Sequence, residues 1–204
     1  MTEQKQQKPH SADYFGEQRD FWWNRDFLAL LGQRWELEKV NRVLDVGCGL
    51  GHWGQTLANI LPRWAKVTGI DREDKWLEEA RSRVQALNLA DRFSYQSGVA
   101  NELPFADATF DMVTCQTLLI HVQNPLAVIR EMLRVLKPDG LLVVAEPNNL
   151  ASSLLFNSVT FEYSPERICD RVRFQLLCER GKAALGEGNN SIGDLLQVIL
   201  LRQV

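Results

Sequence analysis

Four short apolar runs, each passing into glycine, proline or polar residues, constrain this chain more than any other feature. They are 42–47 (RVLDVG), 65–71 (AKVTGID), 109–117 (TFDMVTCQT) and 141–147 (LLVVAEP). A fifth and weaker run is 92–98 (RFSYQSG). Runs this short and this continuously apolar suit strands covered on both faces, which is the condition of a parallel sheet. Helical segments lie between them, and strand–helix alternation implies right-handed crossovers in a doubly wound α/β fold with helices on both faces.

The helical punctuation is readable. Residues 52–61 form a short helix stopped by Pro62. In 74–88, Trp76, Leu77, Ala80, Val84 and Leu87 form the stripe of an amphipathic helix, with Asp74 as its expected cap. In 124–136, Asn124 caps, Pro125 suits the first helical position, and residues 138–140 are expected to end the helix. Ile129, Met132, Leu133 and Leu136 line its inner face, beside the small Ala127. Ser164 caps a further helix opened by Pro165 and running to about Arg180, without a full capping box because Arg167 stands where an acid or amide would. A glycine-rich link, 181–191, leads to a last helical piece, 192–204. Ahead of the sheet, 13–37 reads as helical and carries Tyr14, Phe15, Phe21, Trp22 and Trp23. The division expected is a disordered tail at 1–11, a helical lid at 12–40, a core at 41–148 and a helical segment at 149–204.

Composition narrows the function classes. Lys and Arg number 23 against 26 Asp and Glu, a net charge of −3, whereas a nucleic-acid binder usually carries a basic stripe. No run of 18 apolar residues exists, so no membrane span is expected, and the polar N-terminus lacks the apolar core of a signal peptide. Cys48, Cys115, Cys169 and Cys178 form no CxxC pair, and the three histidines are widely spaced, so neither a metal site nor a disulfide framework is expected. A reducing cytoplasm is the simplest compartment.

The first strand runs into 43–54 (VLDVGCGLGHWG), four of whose twelve residues are glycine. A loop of this kind between strand and helix exposes backbone N–H groups to a ligand at the carboxyl ends of the strands. Two frames overlap in it. Gly49, Gly51 and Gly54 match G-x-G-x-x-G, with Asp71 about twenty residues on, the dinucleotide pattern of an NAD(P)-dependent oxidoreductase. Asp45, Gly47, Gly49 and Gly51 form the second frame, an acid two residues ahead of alternating glycines. Trp53, inside the loop, is expected to pack rather than bind.

The second frame resembles the first motif of class I S-adenosylmethionine-dependent methyltransferases. Residues 103–148, from LPFADATFDMVTCQT to LLVVAEPN, are similar in order and spacing to the same superfamily, most of all to its small-molecule, type 11-like branch. The resemblance covers residues 43–148 and implies a Rossmann-like fold, S-adenosyl-L-methionine as cofactor, and methyl transfer to a small molecule by in-line displacement. It also implies roles. Gly47, Gly49 and Gly51 would pass under the methionyl and ribose parts, and Asp71 would accept from both ribose hydroxyls. Arg72 would lie along the adenine, the backbone of Gln116 would lie beside the methionyl group, and Asp45 would order the loop. Relatives often have an acid for the adenine amino group where this chain has Val99. The backbone of Val99 and Ala100, or a polar substitute such as Asn101, is left to hold adenine.

His121 is the candidate base and Glu146 a candidate substrate contact, each with a packing or capping role as the alternative. Tyr14, Trp22 and Trp23 are candidates for a substrate wall. No N-P-P-Y-like tetrad follows the fourth strand, which reads CQTL, and no Pro-Cys dipeptide exists, so DNA methylation is not expected. The superfamily sheet has seven strands and only five are legible here. The final antiparallel pair is expected to be missing through truncation; the alternative is a sheet with an open edge that a homodimer could cover. A cofactor-binding module without turnover stands as the other alternative.

Overall fold

The computed structural model describes residue 19, residues 21–154 and residues 160–201. Its five strands are β1 (Arg42–Val46), β2 (Lys66–Asp71), β3 (Phe93–Ser97), β4 (Phe110–Gln116) and β5 (Leu136–Ala145). They form one sheet in the order β3-β2-β1-β4-β5, and every pairing is parallel. The order reverses between β1 and β4, which puts the crevice for a ligand at the carboxyl ends of those strands. The described helices are α1 (Arg25–Arg34), α2 (His52–Leu57), α3 (Asp74–Ala86), α4 (Pro125–Val135), α5 (Asn149–Leu154), α6 (Pro165–Ala184) and α7 (Leu196–Leu201). Short 3-10 turns occupy Leu37–Lys39, Leu119–His121 and Ile192–Leu195.

Alternation along the strands divides the core between two faces. On one, Leu44 and Val46 of β1 and Val113 and Cys115 of β4 pack with Ile129 and Met132 of α4. On the other, Val43, Val67, Met112 and Val143 pack with Trp53 and Leu57 of α2 and Leu28 of α1. Full burial of Ile129 and Met132 is worth about 1.5–3 kcal/mol each in transfer free energy. The same alternation puts Asp45 on the α2 side with Val43. Trp53 is also held there by its indole N–H, which donates to Thr114 Oγ1 at 2.8 Å, and the Thr114 hydroxyl donates to the Val143 carbonyl.

Several boundaries differ from the sequence reading. Of the expected 13–37 helix, residues 13–18 and 20 lie outside the described residues; in the described part α1 starts at Arg25, because Asn24 adopts an extended conformation and caps it, accepting from Phe27 N at 3.0 Å. In α3, Asp74 is the first helical residue and not the cap. Glu73 holds that place, and its N–H is taken by Asp71 Oδ1 at 3.1 Å. Leu87, expected in the buried stripe, lies past the end of α3 and is exposed. Asn124 and Pro125 open α4 as the spacing requires, but α4 ends at Val135. Residues 137–140 (KPDG) then bulge from β5: pairing passes from Phe110↔Leu136 to Met112↔Leu141, five residues on one strand against two on the other. Ser164 caps α6, which continues through residue 184 into the expected link.

Candidate functional site

The loop after β1 is ordered by the protein's own groups. The N–H groups of Gly47 and Cys48 both donate to the Ile70 carbonyl, and Gly51 N donates to the Cys48 carbonyl. Gly49 N donates to Asp71 Oδ2 at 2.9 Å, tying the loop to the end of β2. Gly54 N donates to Asp45 Oδ2 at 3.1 Å, fixing the start of α2 to β1. Gly47, Gly49 and Gly51 all have positive φ, at 67°, 50° and 78°. At Gly47 a Cβ would come within 2.6 Å of Leu118 Cδ1, and at Gly51 within 2.6 Å of Tyr95 Oη. These two glycines are therefore demanded by backbone conformation and by protein neighbours, before any ligand is considered.

Asp71 is 8% exposed, and each carboxylate oxygen accepts one backbone N–H, from Gly49 and from Glu73. An ionised carboxylate offers about four acceptor positions, so one on each oxygen remains for a pair of neighbouring hydroxyls. That pair of acceptor positions fits the two hydroxyls of a ribose. Asp45 is 2% exposed, and burial pushes its carboxyl up to about 7; the Gly54 N–H works against this and the charge of Asp71 adds to it.

At the end of β3, Val99 is exposed and its carbonyl accepts from Glu102 N at 3.2 Å, closing a tight turn. Ala100 packs against the core and Asn101 is exposed. Arg72 is exposed beside Glu73, with Nε 3.4 Å from Oε1. Gln116 is half-buried at the end of β4. The next residue, Thr117, has φ +52° and its hydroxyl accepts from Arg19 at 3.2 Å.

Glu146 follows β5 and holds the β4 loop. Its Oε1 accepts from Leu118 N and Leu119 N at 2.8 Å, and Oε2 accepts from Ile120 N at 3.2 Å. Three amides at the start of a 3-10 turn are the positive end that a carboxylate suits. Burial still pushes the Glu146 carboxyl upward, the amides opposing it. His121 ends that turn with an exposed side chain, its Nδ1 3.2 Å from Nζ of Lys182 on α6. The two tryptophans part company. Trp23 is partly buried and packs between Trp53, at 5.0 Å between ring centroids, and Phe27, at 6.4 Å, against the core on the α2 side. Trp22 is the exposed one, with the Arg19 guanidinium over its ring at 5.0 Å. Tyr14 lies outside the described residues.

The structure thus ties Gly49 to Asp71, Gly47 to the Ile70 carbonyl, Gly51 to the Cys48 carbonyl, and the start of α2 at Gly54 to Asp45. Val99 and Ala100 follow β3, the neighbour of β2, and His121 is linked to α6. Sequence reading missed Gln55, Arg83, Tyr95 and Lys182. For Gln55 a signal existed: a polar residue four places after Gly51 lies one helical turn beyond it.

The sequence matches the family described as "Methyltransferase domain" over residues 37–184. The chain belongs to that family. It is a class I domain with S-adenosylmethionine as its cofactor, and the dinucleotide reading of Gly49, Gly51 and Gly54 falls. Among relatives, it is 33% identical over 175 residues to the ubiquinone biosynthesis O-methyltransferase of Vibrio cholerae, covering 79% of this chain and 69% of that one. It is 38% identical over 116 residues to methyltransferase GfsG of Streptomyces halstedii, covering 57% of this chain and 41% of that one. The chain spans less than half of GfsG. Among solved structures it resembles the [4+2]-cyclase SpnF, with 32% identity and a TM-score of 0.52 over 58% of this chain and 43% of that one.

Proposed function

We propose that this methyltransferase domain moves a methyl group from S-adenosylmethionine to a small-molecule acceptor by in-line displacement. The observation that carries the proposal is Asp71, clamped by Gly49 and Glu73 at the carboxyl end of β2, beside the strand whose other neighbour marks the order reversal, with acceptor capacity to spare. The cofactor supplies an activated methyl group, and the chain's part is alignment, which can account for much of the rate. Gly47, Gly49, Gly51, Asp71 and Gln116 are the residues we assign to holding it. Arg72 and the backbone of Val99 and Ala100 are assigned to the adenine end.

The Vibrio relative is named an O-methyltransferase, which supports an oxygen acceptor here. A hydroxyl that attacks must lose its proton, and His121 is our candidate to take it. With Nδ1 accepting from Lys182, a neutral His121 carries its proton on Nε2. Lys182 would therefore have to release Nδ1 before that nitrogen could act as the base. Glu146 acts through the loop it holds, and Trp22 is assigned to the acceptor side.

Calorimetry with S-adenosylmethionine, S-adenosylhomocysteine and NAD tests the cofactor assignment: binding of the first two and not the third is expected. Turnover on a panel of phenols, enols and amines tests the acceptor class. A second reading has one specific support, since a protein of this fold at 32% identity is named a cyclase. Tight cofactor binding with no methyl transfer to any acceptor would favour a binding domain that does other work or none. The net charge of −3 supports a partner other than nucleic acid, and four free cysteines support a cytoplasmic setting. Among the described residues no helix is long and apolar enough to cross a membrane. Strand β5 ends the order of the described sheet, and a homodimer across it would show as doubled mass in sedimentation.

A further inference from the structure

Between the glycine loop, α2, α3 and β3 lies a polar network that the assignments above do not use. Gln55, on α2, is 6% exposed. Its Nε2 donates to the Leu50 carbonyl at 3.2 Å and lies 3.4 Å from Tyr95 Oη. Its Oε1 accepts from Arg83 Nε at 3.2 Å. Arg83, on α3, also places Nη2 3.1 Å from His52 Nδ1. One guanidinium therefore fixes two side chains of the helix that the loop opens, and one of those grips the loop. Buried amides of this kind are specific because any other orientation leaves polar atoms without partners.

The grip falls on one peptide unit. The Leu50 carbonyl is held by Gln55, and the N–H on the same peptide, that of Gly51, is held by the Cys48 carbonyl. A peptide bound at both ends cannot rotate without breaking both bonds. Gly51 has φ +78°, and the space beside its Cα is filled by Tyr95 Oη and Gln55 Nε2, at 2.6 and 2.7 Å from a built Cβ. The turn is thus locked by the same groups that fill around it.

We propose that Gln55 is a positioning residue for the cofactor, with Arg83 as the group that orients it, and that the pair sets donor affinity by holding the 50–51 peptide in its binding conformation. This rests on the methyltransferase reading. The side-chain amide is essential in both its halves: the oxygen faces Arg83 and the nitrogen faces the loop. Gln55→Glu separates them, because a carboxylate still pairs with Arg83 but sets an acceptor against the Leu50 carbonyl. The charged and titratable groups around that carboxylate are His52 on α2, Arg83 on α3, Tyr95 on β3, and Asp45, Cys48, Asp71 and Arg81 beyond them, as the influences on Tyr95 and Cys48 show.

The test uses the full chain at one pH, with two readouts. In the unliganded protein, Gln55→Glu is expected to speed amide hydrogen exchange at Gly49 and Gly51 about tenfold, with the strand amides unchanged. By calorimetry it is expected to weaken S-adenosylmethionine binding about tenfold, and in turnover to raise the donor KM with kcat little changed. Arg83→Met, at a half-exposed site that does not bury a new charge, is the second variant; it is expected to weaken affinity several-fold in the same KM-selective way. Wild-type exchange and wild-type affinity in both variants would overturn the proposal. If the wild-type chain binds neither S-adenosylmethionine nor S-adenosylhomocysteine, the functional reading fails instead, and the exchange experiment still decides whether Gln55 locks the turn.

Discussion

Asp45 offers the sharpest quantitative test. It is 2% exposed, and its carboxyl titrates at about 7 against an ordinary 3.8, with burial the largest cause. Its folded pKa is raised, so the sign follows directly. The folded state binds the proton more tightly than the unfolded chain, and stability is fullest below the unfolded pKa. It falls as pH rises toward 7 and then levels. A shift of about 3 units is about 4 kcal/mol across the whole range, of which about 2.5 kcal/mol falls between pH 5 and pH 8. Asp45→Asn removes the ionisation and keeps an oxygen for the Gly54 N–H. The measurement is urea unfolding of both proteins at pH 5, 6, 7 and 8, with the difference in unfolding free energy taken at each pH. That difference should move in favour of the asparagine variant by about 2.5 kcal/mol from pH 5 to pH 8, because groups common to both proteins cancel. A difference that stays flat with pH would refute the reasoning, and would mean that the Asp45 carboxyl is solvated or paired well enough to ionise normally.

Four further outcomes are expected. Asp71→Ala should weaken S-adenosylmethionine binding by about 1–3 kcal/mol, the scale of lost charge-assisted hydrogen bonds, as read by calorimetry. Gly51→Ala should destabilise the fold by about 1–3 kcal/mol in denaturant unfolding, from the left-handed backbone together with the close approach of Tyr95. Glu146→Gln should cost about 1–3 kcal/mol of stability, because one amide oxygen replaces two that together accept from three N–H groups. His121→Ala should lower turnover and leave cofactor affinity unchanged; turnover at the wild-type level would return His121 to its contact with Lys182.

The strands were legible because a strand covered on both faces must be largely apolar, and β1, β2 and β4 each carry apolar residues on both faces. Asn124 and Pro125 announced α4 for an equally local reason, since a cap and a proline act within one turn. The KPDG bulge was not legible. Its residues read as a helix terminator, yet the helix had already stopped at Val135, and only pairing with β4 carries the chain on as strand. Asp71 could be read as a ligand residue from its place at the end of β2, but not as the clamp on Gly49, because that contact joins residues 22 apart. Glu146 shows the same limit. A carboxylate at a strand end looks like a substrate group until three amides from a neighbouring loop are found on it. Trp22 and Trp23 are adjacent and identical, so only the packing of Trp23 on Trp53 tells them apart.

Gly47 and Gly51 carry a consequence for how such chains are recognised. Leu118 and Tyr95 crowd them from inside the protein, so selection for folding alone would retain both glycines. A descendant that had lost every trace of catalysis would still display them. The alternating-glycine pattern of this loop is thus partly a signature of architecture, and a pseudoenzyme would carry it too. Asp71, each of whose oxygens accepts one backbone N–H among the described residues and has a position to spare, is the residue whose loss would mark the change.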